Sequence, residues 1–271
     1  MGFNDKINDI SSYNNKMKLS LFDKLFFVSH VDAHIFVDFG CANGELIKFL
    51  SSLFPDNLYI GYDISQEMIN LAKENNSDNL NTFFTTKWEE VINMMKNVGC
   101  KSCLILSSVI HEVYSYGDKS SVKVFWDRVF NSDFDYIAMR DMMYEDYYIS
   151  ECSIKDDDIT KIRKNEKYKE HLLKFEEIYG KLSNSNLKQV IHYLFKYSYN
   201  ENWDREVKEN YLPLSDEDLM KILMYHADEY KEIYYETYTL PFLKRKIKED
   251  FDVNIVYDTH VKFILEKETK K

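Results

Sequence analysis

The chain has 271 residues, with 46 Asp and Glu against 35 Lys and Arg, for a formal net charge of −11. That length suits one large domain or two small ones, and a composition of 45% hydrophobic and 30% charged residues excludes a disordered chain. An acidic surface does not attract polyphosphate as a whole, four cysteines (Cys41, Cys100, Cys103, Cys152) are too few for a disulfide scaffold, and no apolar run reaches the roughly 18 residues of a membrane span. Nothing at the N-terminus resembles a signal peptide, so a reducing, cytoplasmic setting is expected.

Met17, Leu21, Phe22, Leu25 and Phe26 recur at spacings of three and four, which predicts an amphipathic helix within residues 1–34. Ile35–Phe39 reads as a first strand ending in a glycine turn, and Glu45–Phe54 as a helix closed by Pro55. Strands follow at Leu58–Ile64, Thr82–Thr85, Ser102–Val109 and Tyr136–Arg140. Helices separate them at Gln66–Asn75 (with Ser65 as N-cap), Trp88–Asn97 and Ser121–Phe130. Such alternation means βαβ units, a parallel sheet and ligands at the carboxyl ends of the strands.

The alternation breaks over residues 144–230, where charged helical stretches predict a mostly helical insertion; Asp156–Asp158 opens one helix and Ser215 caps another. It returns with a strand at Ile233–Thr239, a helix at Pro241–Phe251 with proline in its first turn, and a last strand at Thr259–Glu266. The expectation is a doubly wound, seven-stranded, mostly parallel α/β sheet with a helical insertion before strand six. Residues 35–143 and 231–271 form the core.

Two of only seven glycines fall in Asp38-Phe39-Gly40-Cys41-Ala42-Asn43-Gly44, where the first strand turns into the first helix. Glycine there permits a sharp turn and close approach of a ligand to the main chain. Asp63 ends the second strand, where a carboxylate in a doubly wound fold reaches a ribose. The alternative for this series is an ordinary βαβ turn with a surface aspartate.

These residues resemble the first motif of class I S-adenosylmethionine-dependent methyltransferases, an acid followed by small residues at alternate positions: Asp38-x-Gly40-x-Ala42-x-Gly44. The resemblance implies a seven-stranded sheet whose last strand runs antiparallel beside the fifth, and S-adenosylmethionine as cofactor. It implies that Gly40, Cys41, Ala42, Asn43 and Gly44 hold the methionine moiety with Asp38 near its amino group. Asp63 would hold the ribose, with Ile64 and Met68 bordering the adenine, and Ser107 would lie near the cofactor at the end of strand four. The helix between the last two strands departs from a plain hairpin. So does Thr86-Lys87-Trp88-Glu89, where the family often has an acid; Trp88 either stacks on the adenine or caps its helix within the core. A dehydrogenase would need Gly-x-Gly-x-x-Gly, and positions 42 and 45 are not glycine.

Strand four ends in Ser107-Ser108-Val109-Ile110-His111-Glu112, beside the reactive centre of such a fold. His111 is the candidate base, with Glu112 orienting it or binding substrate; the alternative is a loop histidine and a solvated glutamate. Arg140 and Asp141 end strand five, either as an anion-binding pair or as a local ion pair. Cys100-x-x-Cys103 has no second pair, so no metal is expected. The stretch His192–Arg205 interleaves aromatic and basic residues, as nucleic-acid binders do and as aromatic cores also do. The expected acceptor is a small molecule beneath an insertion that acts as a lid. RNA or a nucleotide is the alternative acceptor, and a non-catalytic cofactor-binding protein that engages a partner through the insertion is a third reading.

Overall fold

The computed structural model describes residues 20–146, 155–200, 202–226 and 228–268. Met17 and Cys152, named above, lie outside these residues. Seven strands form one sheet: β1 (Ile35–Phe39), β2 (Leu58–Tyr62), β3 (Thr82–Thr85), β4 (Ser102–Ser107), β5 (Tyr136–Met142), β6 (Tyr230–Tyr238) and β7 (His260–Lys267). Their order is β3-β2-β1-β4-β5-β7-β6, and β7 runs antiparallel to both neighbours. Every residue of β1 is buried, which is why its apolar run is continuous rather than alternating: helices cover both faces of the sheet at its centre.

The order reverses between β1 and β4, which pair in parallel from Ile35–Ser102 to Asp38–Ile105. Successive crossovers leave on opposite faces there, so a crevice opens above the carboxyl ends of these two strands. Around it stand α1 (Leu21–Lys24), α2 (Glu45–Leu53), α3 (Gln66–Asn75), α4 (Trp88–Val98), α5 (Ile110–Tyr116) and α6 (Lys119–Asn131). Ser65 caps α3 as expected, accepting from the Met68 N–H at 3.3 Å.

Two local expectations are corrected. Among the described residues of the N-terminal segment, the helix is a single turn, α1, followed by a 3-10 turn at Phe26–Ser29. The Leu21/Leu25/Phe26 spacing that suggests a longer helix comes from side chains packing over the Ala33–Phe36 region of the core. Strand four stops at Ser107, and His111 and Glu112 lie in the first turn of α5 rather than on a loop.

Between β5 and β6 lie α7 (Asp156–Lys164), α8 (Lys169–Tyr179), α9 (Leu187–Lys196), α10 (Trp203–Glu206) and α11 (Asp216–Met224), with α12 (Pro241–Phe251) between β6 and β7. Helices α7 to α10 share an apolar core with α12. Phe175, Tyr193 and Tyr197 are fully buried in it, and each such ring contributes about 1.5–3 kcal/mol relative to exposure. The Tyr197 hydroxyl donates to Asp250 at 2.8 Å, and buried Lys196 donates to the Glu206 carbonyl at 2.9 Å. The aromatic–basic stretch is therefore mostly interior packing. No helix among the described residues is long and apolar enough to cross a membrane.

Candidate active site

The chain leaves β1 through Gly40 (φ +78°), Ala42 (φ +46°) and Gly44 (φ +74°). Three left-handed residues at alternate positions coil the main chain tightly, and the two glycines adopt that conformation without the penalty a Cβ brings. At Gly44 a Cβ would also stand 2.8 Å from Asn76 Nδ2 and 3.0 Å from Ala72 and Phe84. The loop is pinned from three directions. The Gly40 N–H donates to the Tyr62 carbonyl at 2.7 Å, Asn75 Nδ2 donates to the Asn43 carbonyl at 2.9 Å, and Asn76 Nδ2 donates to the Gly44 carbonyl at 3.3 Å.

Asp63, just beyond β2, accepts the Ala42 N–H on Oδ2 at 2.9 Å and the Ser65 N–H on Oδ1 at 2.8 Å. Each oxygen keeps a lone pair for a further donor. Burial raises the Asp63 pKa despite these two bonds. Asp38 is buried in the floor, and burial, eased by nearby Lys24 and reinforced by Asp63, lifts its pKa to about 7. Lys24 of α1 is also buried, and its pKa falls to about 8, by burial first and the Arg140 charge second.

Across the crevice, Asp141 at the end of β5 organises the start of α5. Its Oδ2 accepts the Ile110 N–H at 2.7 Å, and its Oδ1 lies 2.6 Å from His111 Nδ1 and accepts the Met142 N–H at 2.8 Å. Burial alone would depress the His111 pKa, but the charge and hydrogen bond of Asp141, with Glu112 and Glu209 behind them, raise it to about 9. The same partnership lowers Asp141 against the effect of burial. Because Nδ1 is committed to Asp141, Nε2 is the nitrogen left for chemistry. Ser108, between β4 and α5, sits at φ +60° and donates its N–H to the Arg140 carbonyl at 2.8 Å.

The insertion completes this side. Arg205 of α10 lies 3.4 Å from Glu112, 2.9 Å from Glu209 and 3.7 Å from Glu206. Tyr116 donates to Glu209 at 2.8 Å, and Tyr211 donates to Glu206. Burial and the two neighbouring glutamates raise the Glu209 pKa to about 7, although Arg205 and His111 oppose them. His111, Glu112 and Glu209 bring possible ligand atoms within 4.8 Å of one another, but the Arg205 guanidinium already bridges the two carboxylates.

A cavity of about 940 Å³ joins the two sides. Asp38, Gly40, Cys41, Ala42, Asn43, Asp63, Ile64, Met68, Ser107, His111, Glu112 and Arg140 all line it. Gly44 lies behind the loop rather than on the cavity wall. Trp88 does not line the cavity: its ring packs against Phe39 and Tyr62, and its Nε1 donates to Ser132 at 3.2 Å. Asp141 likewise does not line the cavity and is set behind His111. Arg140 is held by Asp23 at 2.6 Å and Ser108 Oγ at 2.8 Å while Asp141 faces His111, so their hydrogen bonds run to different partners rather than to each other. Cys103 is buried and Cys100 exposed, both as free thiols.

Sequence reasoning missed Lys24, Asn75, Asn76, Glu206, Glu209 and Tyr211. The glutamates sit in a charged helical stretch whose pattern matches a solvated face, so no local signal marks them.

Residues 36–97 match the family model described as Methyltransferase domain. A search of curated protein sequences gives no match. Among solved structures, the plantazolicin methyltransferase BamL, in complex with a triazolic desmethylPZN analog and SAH, is 11% identical with a TM-score of 0.46, over 96% of this chain and 87% of that one. The methyltransferase domain of bacterial CtHen1-C is 11% identical with a TM-score of 0.47, over 92% of this chain and 97% of that one. MccD protein is 9% identical with a TM-score of 0.44, over 91% and 96%. The resemblance to class I methyltransferases thus holds in the matched segment and in the strand order, with its antiparallel β7 beside β5.

Proposed function

We propose that the protein is an S-adenosylmethionine-dependent methyltransferase acting on a small molecule. One observation carries the reading: a single cavity joins a ribose-ready aspartate and a left-handed glycine loop to a buried His–Asp pair. The cavity residues fit the donor. Asp63 retains acceptor capacity on both oxygens, and Ser107 Oγ is buried with no hydrogen-bond partner among the described residues. Asp63 would hold the ribose, Ile64 and Met68 would border the adenine, and the Gly40–Asn43 main chain would hold the methionine end near Asp38. Bound there, S-adenosylmethionine supplies an electrophilic methyl group on a sulfonium.

The chain's own residues do the rest. Holding donor and acceptor in line removes the entropic cost of their meeting. His111 Nε2 accepts the acceptor's proton while Asp141 keeps Nδ1 protonated and steadies the imidazolium. The insertion, through Arg205, Glu209 and Tyr211, roofs the site against bulk water.

A small acceptor is favoured over RNA because the basic and aromatic residues that suggested stacking are largely interior: Tyr193, Phe195, Lys196 and Tyr197 are buried. The test is calorimetric titration with S-adenosylmethionine and S-adenosylhomocysteine, NAD serving as control, followed by an acceptor screen. Micromolar binding of both sulfur compounds and none of NAD is expected. Absence of binding overturns the reading, and binding without turnover of any acceptor moves the non-catalytic alternative ahead.

A further inference from the structure

Beyond His111 the cavity wall turns acidic. Glu112 of α5, Glu206 of α10 and Glu209 just after α10 all line it, and Glu206 and Glu209 are 3% and 2% exposed. Among the described residues, two cations answer these three carboxylates. Arg205 meets all of them, and Lys196 stands behind, donating to the main-chain carbonyls of Glu206 and Glu209. His111 is matched by Asp141, and Lys24 is set near Asp38. Counted in full, the two cations leave one negative charge on a wall largely shut off from water. A buried carboxylate without a counter-charge is costly, so such a wall favours a ligand that carries a single positive charge.

The geometry specifies the kind of cation. Arg205 Nη2 and the Tyr116 hydroxyl both meet Glu209 on Oε1, at 2.9 and 2.8 Å, and Arg205 meets Glu112 on Oε1 at 3.4 Å. A carboxylate has about four lone-pair sites, so both acids keep capacity for a further donor. One oxygen of each and a ring nitrogen of His111 lie within 4.8 Å of one another. Three acceptors about 2.9 Å from one tetrahedral nitrogen stand about 4.7 Å apart, which is the spacing that suits a primary ammonium. A divalent ion would bring two charges to a set that Arg205 already touches. The surroundings are aromatic: the Tyr211 ring lies edge-on to His111 at 5.2 Å and to Tyr199 at 6.3 Å, and all three line the cavity. Such rings favour an organic cation.

We propose that the methyl acceptor is an amine, bound as its ammonium between Glu112, Glu209 and His111. This rests on the methyltransferase reading of the cavity. The ammonium yields one proton to His111 Nε2, and the freed nitrogen lone pair bonds to the methyl carbon. The carbon–sulfur electron pair stays on sulfur as that bond breaks. Glu112 and Glu209 are specificity residues, selecting an amine over an alcohol of the same shape.

The test is calorimetry on the full chain, with and without S-adenosylhomocysteine. The probes are benzylamine, 2-phenylethylamine and 3-phenylpropylamine, each against the alcohol of the same length. At least one amine should bind about tenfold or more tightly than its alcohol. Glu209→Gln keeps the volume and removes the charge; it should cut that preference to about threefold or less while S-adenosylhomocysteine affinity holds. Thermal melts separate a binding defect from a folding one, and Glu112→Gln decides the matter if Glu209→Gln does not fold. Amines that do not bind, amines no tighter than their alcohols, or a preference that the glutamine variants keep overturn the assignment. So does Mn²⁺ binding that those variants abolish, with no amine bound, which gives the same atoms to a metal. Failure of S-adenosylhomocysteine alone overturns the donor reading instead, since the amine comparison without it is read separately.

Discussion

Asp38, the Gly40–Gly44 loop and Asp63 come from one β–α–β unit, and most of the contacts among them are to main chain: Ala42 N–H to Asp63, Gly40 N–H to Tyr62, Asn75 and Asn76 to loop carbonyls. The opposite side of the cavity is assembled from β5, α5 and α10 and the segment after it, with side chain meeting side chain: His111 on Asp141, Arg205 on Glu112 and Glu209, Tyr211 on Glu206. The first side is a backbone mould set by local conformation. The second is a buried charge network whose members neutralise one another. A mould binds a constant ligand and tolerates little change in shape; a network tunes protonation and yields to changes in charge.

The difference is open to attack, beginning with the largest effect. His111→Ala should lower turnover by about 10²- to 10⁴-fold, the usual contribution of a positioned general base, with S-adenosylhomocysteine affinity unchanged by calorimetry. A mutant of normal rate would retire His111 as base and leave the network a structural role only. Gly44→Ala should act through shape: the left-handed backbone and the 2.8 Å approach to Asn76 together predict a loss of about 2–4 kcal/mol in urea denaturation. A stable alanine variant would mean that the mould is softer than its contacts imply.

Asp63→Ala should weaken donor affinity by about 1–3 kcal/mol, and it also removes the acceptor for the Ala42 and Ser65 N–H groups. Unchanged affinity would remove the ribose assignment. The smallest effect is a pH dependence confined to the network. The His111 pKa is higher in the folded protein (about 9) than its ordinary value of 6.5. Its stabilising contribution is therefore full below about pH 6.5 and lost as pH rises through about 9. Relative to His111→Gln, the unaltered protein should lose about 1–3 kcal/mol of stability across that window, while its turnover rises as Nε2 becomes free to accept a proton. Parallel stability curves for the two proteins would show that the Asp141 pairing does not survive in solution.

The two sides also differ in how far they could be read in advance. The glycine loop, Asp63 and the Ser65 cap were visible because each is a short-range pattern with one conformational reason. The seven strands were visible because strand–helix alternation has its own period. Strand ends were less secure: β4 stops before Val109 because Ser108 adopts a left-handed conformation that no residue type announces. Trp88 was open to two readings, and the structure sets its ring in the core, where it packs against Phe39, Tyr62 and Phe134.

From the sequence alone came the strand–helix alternation of a doubly wound fold and the glycine loop with Asp63, which follow from backbone conformation and hydrophobic period acting over a few residues; the reversed last strand was implied only by the resemblance those residues carry. Only the tertiary structure decided that Asp141 orients His111, that Arg205 answers Glu112 of α5, 93 residues away in the chain, as well as its own neighbours, and that Asp23 staples α1 to three strands. A charge on a helix looks the same in sequence whether water or another charge solvates it. Its partner is chosen by packing, once burial has made leaving it unpaired more costly than holding it in place.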